Sequence, residues 1–327
     1  LAGSNIVALD EYSAGSEQTI DFILTVVSSD VEYVDGFSLS FPDDWEIIGG
    51  SSAQNQAVNI DENIIKSGKS GKGKIISNYG VGFSHIDLEA CQKYKIKVTN
   101  TPNVLTDATA DLTILLMLMV SRRSKEGEYQ INNNLWPGWS PTHLLGSELT
   151  NKTLGIVGLG RIGQAVAKRA YFGFNMKIKF FNRTKKNINF SFKAEQVDNI
   201  YDLCKSSDFL TIHCPGGNKN KHLIDQDVLD AMKKTAFLIN TARGDIICEN
   251  SLFEALKNNS IAGAGLDVFE NEPEINPKFL KAQNLTMLPH LGSATKETRN
   301  AMGLKVIDNL RKFFDTGDVI DPVPLVK

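Results

Sequence analysis

From about residue 150 onward, short apolar runs alternate with helical patterns, and this alternation constrains the fold more than any other feature of the sequence. A strand, a crossover helix and a second strand form a parallel pair, because the helix must pack back against one face of the sheet. The sequence therefore predicts an α/β domain with a doubly wound parallel sheet. Its six predicted strands are 153–158, 177–181, 208–214, 236–242, 263–269 and 284–290.

Helical patterns occupy the gaps between and around these strands. Residues 161–173 form one predicted helix, with Gly173 as its C-terminal glycine. Residues 107–123 form a predicted helix that carries the chain from a first domain to the second. Its apolar part, 112–120, predicts a buried helix, since it is far shorter than the roughly 20 residues that a membrane span needs. A last predicted helix, 295–317, returns to the first domain.

The first hundred residues are less regular than the rest. Residues 5–10, 21–27 and 73–82 have the apolar character of strands, which predicts a second, smaller α/β domain. A length of 327 residues agrees with two domains of ordinary size. Residues 45–60 look like an insertion in this first domain.

Composition and charge narrow the class of partner. A net charge of −3 and a pI near 6.0 give no broad positive field, which argues against nucleic acid or an anionic membrane and favours small molecules. The four cysteines are scattered and form no C-x-x-C pair, so we expect neither a metal site nor a disulfide framework. This cysteine usage and the absence of a secretory pattern predict a cytoplasmic location.

A glycine motif connects the first strand of the larger domain to the next helix. Gly158, Gly160 and Gly163 follow the G-x-G-x-x-G spacing: the first allows a tight turn, the second a close backbone approach and the third close packing of helix on strand. The amides of Arg161 and Ile162, at the helix N-terminus, would bind a pyrophosphate. The motif predicts a dinucleotide site, and its alternative is a structural turn.

The sequence KFFNRTKK, residues 179–186, ends the second strand of this unit without a carboxylate. An acid at this place would accept hydrogen bonds from the ribose of NAD and repel a 2′-phosphate. Asn182 removes that repulsion, while Arg183 and Thr184 can donate hydrogen bonds to phosphate oxygens. We therefore expect NADP(H) as the preferred cofactor, with NAD(H) possible; the alternative is a solvated basic loop.

Three chemically distinct side chains follow three later strands. Arg243, Glu272 and His290 each lie just beyond a carboxyl strand end, which is where open parallel sheets bind ligands. The combination suits hydride exchange at a carbon next to a carboxylate, with a histidine as proton donor. Taken singly, these residues could be a helix-end arginine, a turn glutamate and a capping histidine. Spacing suggests no acid partner for His143, His213 and His222, and His85 is a weak candidate for substrate contact.

Several further motifs occur in a fixed order along the chain: NYGVGFSHID, TPNVLTDATAD, GIVGLGRIG, LINTARGDII, AGAGLDVFENEP, LPHLGSATKETR and DPV. In these motifs, residues 75 to 325 resemble the D-2-hydroxyacid dehydrogenase family, specifically its glyoxylate/hydroxypyruvate reductases. The resemblance implies reduction of a small 2-oxo acid to the D-2-hydroxy acid. It also implies Arg243 as substrate anchor, Glu272 as partner of His290, and His290 as general acid.

The resemblance implies further contacts around this centre. Asp267 would contact the nicotinamide carboxamide, and the amides of Val81 and Gly82 would hold the substrate carboxylate. Additional expected contacts are Cys214, Pro215 and Thr241 for the cofactor and Ser293 for the substrate. Two Rossmann-like domains are expected: residues 102–290 for the dinucleotide, and residues 1–101 with 291–327 as a smaller flavodoxin-like substrate domain.

A loop with two tryptophans predicts an interface between subunits. Residues 132–141 place Trp136 and Trp139 among Asn, Pro and Gly, and exposed aromatics of this kind are typical of interfaces. The resemblance implies a homodimer formed through residues 107–145. The alternatives for function are a non-catalytic redox-sensing corepressor-like protein, or a dehydrogenase for D-lactate or D-3-phosphoglycerate.

Overall fold

The computed structural model of the chain describes residues 4–8, 22–26, 74–185 and 190–324. The chain forms two compact units, Leu1–Thr101 with Gly303–Lys327, and Pro102–Met302. The insertion predicted at 45–60 lies outside the described residues. The predicted boundary at residue 291 precedes the last helix, whereas the compact units divide at Gly303 within it. The assignment of the smaller unit to the substrate stays a prediction.

Among the described residues, the smaller unit contains a mixed sheet of four strands. These are β1 (Ser4–Ala8), β2 (Phe22–Val26), β3 (Ile75–Tyr79) and β4 (Lys97–Thr99), in the order β2-β1-β3-β4, with helix α1 (Leu88–Lys93) between β3 and β4. β3 and β4 are parallel, but β1 is antiparallel to β2 and β3. The antiparallel pairing of β1 differs from the all-parallel sheet expected of a flavodoxin-like domain.

The larger unit is built around a seven-stranded sheet. Its strands are β5 (Thr153–Val157), β6 (Lys177–Phe181), β7 (Ala194–Gln196), β8 (Phe209–Ile212), β9 (Phe237–Asn240), β10 (Gly263–Leu266) and β11 (Leu285–Met287), in the order β11-β10-β9-β8-β5-β6-β7. Every neighbouring pair is parallel, which confirms the doubly wound α/β fold. All six predicted strands are present; β7 is additional, and its short polar sequence carries no strand pattern.

Helices lie before, between and after these strands. They are α2 (Thr106–Ser121), α3 (Ser124–Asn132), α4 (Arg161–Phe174), α5 (Ile200–Ser206), α6 (Gln226–Asp230), α7 (Glu249–Lys257) and α8 (Lys296–Thr316). The apolar stretch 112–120 lies in α2 and buries Leu116, Met117 and Val120, which confirms the prediction of a buried helix. No helix in the described ranges is both long enough and apolar enough to cross a membrane.

Helix α4 shows how the glycine motif is anchored in the core. It buries Val166 and Ala170 in a cluster with residues of the sheet. The prediction that this helix ends at Gly173 is wrong: it continues to Phe174, and Asn175 takes the left-handed conformation with φ of 51°. Asn tolerates this conformation better than most residues, so it replaces the glycine that usually ends a helix.

The parallel direction of the strands determines where the predicted site residues lie. Because all seven strands of the larger unit run the same way, their carboxyl ends share one edge of the sheet. The loops after β5, β6, β8, β9, β10 and β11 begin at that edge, and β9, β10 and β11 are direct neighbours there. The residues proposed for chemistry in the larger unit are carried by these loops.

Candidate active site

His290 and Glu272 form a hydrogen-bonded pair. The Nδ1 atom of His290 lies 2.8 Å from Oε2 of Glu272, and both side chains are largely shielded, with 13% and 12% of their surface exposed. The second carboxylate oxygen, Oε1, accepts a hydrogen bond of 2.7 Å from the amide of Phe269. Glu272 is thus fixed by its own loop. It orients the imidazole so that Nε2 faces away from the carboxylate.

The backbone at His290 is held in an unusual conformation. Its φ is 53°, in the left-handed region that costs energy for a residue with a side chain. The amide of His290 donates to the carbonyl of Asp267 at 2.8 Å. The fully buried carboxylate of Asp267 accepts from the amides of Leu291 at 2.7 Å and Gly292 at 2.8 Å. Asp267 therefore stabilises the loop that carries the histidine.

This role of Asp267 was missed from the sequence. The predicted contact between Asp267 and a nicotinamide carboxamide stays a prediction, while the contacts found here are with the loop of His290. The loop is also tied to α2, because the Thr109 hydroxyl donates to the carbonyl of Gly292 at 3.0 Å. The sequence placed Asp267 at the end of a strand, but nothing in it identified the amides of Leu291 and Gly292 as its partners.

Arg243 lies after β9, the strand next to β10. Its backbone is extended, and it immediately precedes a short 3-10 turn, Gly244–Ile246. The Nη1 atom of Arg243 donates to the carbonyl of Ala242 at 2.6 Å. Since β9, β10 and β11 are consecutive neighbours, the guanidinium, the glutamate and the histidine come from adjacent loops at one edge of the sheet.

The glycine loop has the geometry that a bound dinucleotide needs. Gly158 has φ of 93°, and a Cβ atom built on it would lie 2.6 Å from the amide nitrogen of Cys214. A Cβ on Gly163 would lie 2.6 Å from the carbonyl oxygen of Gly158, whereas nothing lies within 4 Å of a Cβ on Gly160. Gly158 and Gly163 therefore serve close packing. Gly160 leaves open space beside Arg161, the first residue of α4, where a pyrophosphate fits.

Asn182 contacts the glycine loop itself. Its Oδ1 atom accepts a hydrogen bond of 2.8 Å from the amide of Leu159, a contact that the sequence did not predict. Its Nδ2 atom is buried and has no hydrogen-bond partner among the described residues. A buried donor without a partner is costly, so it fits an oxygen supplied by a ligand. Arg183 and Thr184, the next two residues, are exposed.

The remaining predicted cofactor residues surround the same sheet edge. Burial raises the pKa of the Cys214 thiol to about 11, so this thiol is neutral at pH 7. The carbonyl of Pro215 accepts from the Asn220 side chain at 2.6 Å. The buried hydroxyl of Thr241 is 2.9 Å from the hydroxyl of Thr113 in α2, a partner within the protein that the sequence did not suggest.

The predicted substrate residues lie in both units. Ser293 of the larger unit is buried, with 8% of its surface exposed. In the smaller unit, the carbonyl of Val81 accepts from the Asn100 side chain and the carbonyl of Gly82 from the Asn78 side chain, each at 2.9 Å. Their carbonyls are therefore fixed within that unit. Their role toward a substrate stays a prediction.

One expectation about the other histidines is wrong. His222, for which spacing suggested no acid partner, pairs through Nε2 with Glu270 at 2.9 Å. The partner lies far away in sequence, so only the fold brings the two together. His213 is 3.0 Å from the Thr211 hydroxyl, and desolvation of the imidazole lowers the pKa of His213 to about 3. His85 follows β3, and its contact with a substrate stays a prediction.

Comparisons with known proteins identify the family of the chain. The family described as D-isomer specific 2-hydroxyacid dehydrogenase, NAD binding domain, matches residues 114–292. A glyoxylate reductase of Thermococcus litoralis is 47% identical over 259 residues, which are 78% of this chain and 77% of that protein.

Solved structures similar to this chain include two reductases. A glyoxylate reductase from Paecilomyes thermophila has a TM-score of 0.74 and 34% identity, over 81% of this chain and 79% of that one. The NADPH-dependent glyoxylate/hydroxypyruvate reductase from Sinorhizobium meliloti, solved with NADP and malonate, has a TM-score of 0.71 and 37% identity, over 76% and 77% of the two chains. Each similarity covers most of this chain.

Proposed function

The chain belongs to the D-isomer specific 2-hydroxyacid dehydrogenase family, and on that premise we propose that it reduces glyoxylate or hydroxypyruvate to the D-2-hydroxy acid, with NADPH as the preferred hydride donor. The observation that carries the proposal is the 2.8 Å contact between His290 and Glu272 at the sheet edge where Arg243 also lies. A positioned acid and a nearby guanidinium are the groups that reduction of a 2-oxo acid calls for.

Each of the three side chains has a chemical task in this reaction. Reduction of a 2-oxo acid leaves negative charge on the former carbonyl oxygen, and Nε2 of protonated His290 supplies the proton that neutralises it. Glu272 stabilises the positive imidazolium and keeps the ring oriented. The permanently charged guanidinium of Arg243 binds the substrate carboxylate and aligns the carbonyl carbon. In the reverse direction, neutral His290 accepts the proton of the hydroxyl group.

The cofactor, when bound, supplies the hydride that reduces the carbonyl carbon. The open space at Gly160 supports binding of its pyrophosphate at the N-terminus of α4. The absence of an acid after β6, together with the exposed Arg183 and Thr184, supports a preference for the 2′-phosphate of NADP. The Nδ2 atom of Asn182, which has no hydrogen-bond partner in the described part of the chain, can donate to a ribose or phosphate oxygen at that point.

The substrate class is tested by following NADPH absorbance with four acids in parallel: glyoxylate, hydroxypyruvate, pyruvate and phosphohydroxypyruvate. We expect the highest kcat/KM with glyoxylate or hydroxypyruvate. A preference for pyruvate would favour a D-lactate dehydrogenase, and a preference for phosphohydroxypyruvate a D-3-phosphoglycerate dehydrogenase. Inactivity toward all four acids with both NADPH and NADH would favour the corepressor-like alternative.

We also propose that the protein acts as a cytoplasmic homodimer formed through residues 107–145. The large exposed apolar side chains of that segment support this proposal; they are Leu115, Tyr129, Ile131, Leu135, Trp136, Trp139 and Leu145. All four cysteines are free, which agrees with a reducing compartment.

A further inference from the structure

The loop after β8 lies directly on the side chain of Arg243. A Cβ atom built on Gly216 would lie 2.9 Å from Cβ and 3.0 Å from Cγ of Arg243. Atoms at these distances overlap, so not even a methyl group fits between the loop and the stem of the arginine. The backbone of Gly216 therefore limits the positions that the side chain of Arg243 can take.

Asp245 fixes this loop in place. Its Oδ2 atom accepts a hydrogen bond of 2.7 Å from the amide of Gly217, and its carbonyl accepts one of 2.8 Å from the amide of His222. Two points of the loop are therefore attached to the residue that stands two positions after Arg243. Within the loop, the Asn220 side chain donates to the carbonyl of Pro215 at 2.6 Å, which restrains it further.

The second oxygen of Asp245 argues against a purely structural role. Oδ1 is buried and has no hydrogen-bond partner among the described residues, and a Cβ on Gly216 would lie 2.6 Å from it. A buried carboxylate oxygen without a partner lowers stability. Sites that tolerate such a cost are typically functional ones.

We infer that Gly216 and Asp245 are positioning residues that hold the guanidinium of Arg243 in the orientation that binds the carboxylate of a 2-oxo acid. The inference rests on the proposed function, because it assigns a task to the arginine of that reaction. Asp245 anchors the loop through Gly217, and Gly216 presses against the arginine stem. A displacement of about 1 Å at such a side chain can lower the rate of reaction by about 10²-fold.

The first test is Gly216→Ala. The added methyl group must displace Arg243 or the loop, so we expect KM for the 2-oxo acid to rise about tenfold or more, while KM for NADPH changes less than about twofold. The matched control is Gly173→Ala in α4, where nothing lies within 4 Å of the new Cβ atom. That control should keep both KM values.

The second test compares Asp245→Ala with Asp245→Asn. Alanine removes the acceptor of the Gly217 amide and should reproduce the selective rise in KM for the 2-oxo acid. Asparagine keeps a carbonyl oxygen that can accept from the same amide, so it should restore KM to within about threefold of the wild type. Equal losses in the two variants would contradict an anchoring role for this hydrogen bond.

A double-mutant cycle then separates action through Arg243 from a general effect. In an Arg243→Ala background there is no guanidinium to misplace, so Gly216→Ala should lower kcat/KM by less than about twofold further. Full additivity of the two losses would overturn the inference. So would a Gly216→Ala variant in which KM for NADPH rises instead of KM for the 2-oxo acid.

Calorimetric binding of oxalate, a carboxylate probe, to the NADP-loaded protein gives a readout that does not depend on turnover. We expect Gly216→Ala to weaken oxalate binding about tenfold and Gly173→Ala to leave it unchanged. Wild-type turnover with an unchanged oxalate Kd in Gly216→Ala would overturn the positioning inference alone. A wild-type protein that neither reduces the four acids nor binds oxalate would overturn the proposed function and, with it, this inference.

Discussion

At the scale of single residues, the two oxygens of Glu272 have separate partners. One accepts from the amide of Phe269 and the other faces Nδ1 of His290. The resemblance to the family implied the pairing of Glu272 with His290, and the predicted topology placed both residues after strands that end at one edge of a parallel sheet. The sequence could not predict the backbone contact, since hydrogen bonds to Phe269 depend on the conformation of a loop that carries no pattern.

Substituting Glu272→Gln should lower kcat by about 10²-fold or more, because a neutral amide stabilises the positive imidazolium much less than a carboxylate does. Steady-state kinetics with glyoxylate and NADPH would measure the loss. The matched control is Glu270→Gln, a glutamate in the same loop that pairs with His222 rather than His290. Activity in that control should stay within about twofold, and an equal loss in both variants would contradict the assigned role of Glu272.

Asn182 supports the glycine loop, and its lack of charge is one basis of the proposed NADP preference. The missing carboxylate was visible in the sequence, but the bond from the Leu159 amide to Oδ1 was not, because it joins two loops. Aspartate at this position can still accept from Leu159. The substitution therefore changes charge at the proposed cofactor site without removing the support of the glycine loop.

The double variant Asn182→Asp with Arg183→Ala should shift the ratio of kcat/KM for NADPH over NADH by about tenfold or more toward NADH. The physical reason is repulsion between the new carboxylate and the 2′-phosphate, together with loss of its cationic partner. Rates with each cofactor at fixed glyoxylate give the ratio. An unchanged ratio would refute the NADP preference proposed for these residues. The single variant Asn182→Ala would show how much activity depends on the hydrogen bond between Leu159 and Asn182.

At the scale of the elements, the sequence predicted six of the seven strands of the larger unit and its helices α2 and α4, because these segments have clear apolar or helical patterns. The predictions failed where polar residues stand in place of the glycine that usually ends a helix or of the apolar pattern that usually marks a strand. Asn175 ends α4 in place of Gly173, and β7 pairs at the sheet edge through a sequence without apolar alternation. The mixed pairing of β1 was not predictable either, since strand direction is set by partners and not by local pattern.

The segment after β8 makes stability depend on pH. The pKa of His213 is lowered to about 3 in the folded protein, so between pH 6.5 and pH 3 the unfolded chain binds a proton that the folded chain does not. Stability contributed by this group therefore decreases as the pH falls below about 6.5. We expect His213→Gln, which keeps a polar partner for Thr211, to lose less stability than the wild type on acidification.

Urea unfolding at pH 7 and pH 5 would measure the effect. The wild type should lose about 1 kcal/mol more than His213→Gln between the two pH values. His143→Gln serves as a matched control for the change of residue type and should behave as the wild type does. Identical pH dependence in wild type and His213→Gln would show that the imidazole is not desolvated.

At the scale of the whole molecule, several large apolar side chains of residues 107–145 are exposed among the described residues. Trp139 is 84% exposed and Trp136 55%. A patch of this kind is typical of a protein interface. The sequence predicted an interface here because Trp136 and Trp139 lie in a loop among Asn, Pro and Gly, where they are not part of a core. The number of subunits depends on geometry that no local pattern encodes.

The double substitution Trp136→Glu with Trp139→Glu should convert the proposed dimer into a monomer, because charged groups would be buried without partners. Light scattering coupled to gel filtration would give the mass. Phe172→Glu is the matched control, since Phe172 is 60% exposed but lies in α4, outside the segment. A mass that equals one chain in the wild type would refute the dimer, and a wild-type dimer that survives the double substitution would place its interface elsewhere.

The left-handed backbone at His290 has a practical consequence for trapping a ternary complex. Removing the proton donor while keeping the loop intact requires a replacement that tolerates φ of 53°, and asparagine is among the few side chains that do. His290→Asn should therefore give a slow enzyme that still binds both ligands, suitable for crystals soaked with unreacted substrate. Replacement by leucine or valine would add conformational strain to the loss of chemistry, and would confuse the two effects.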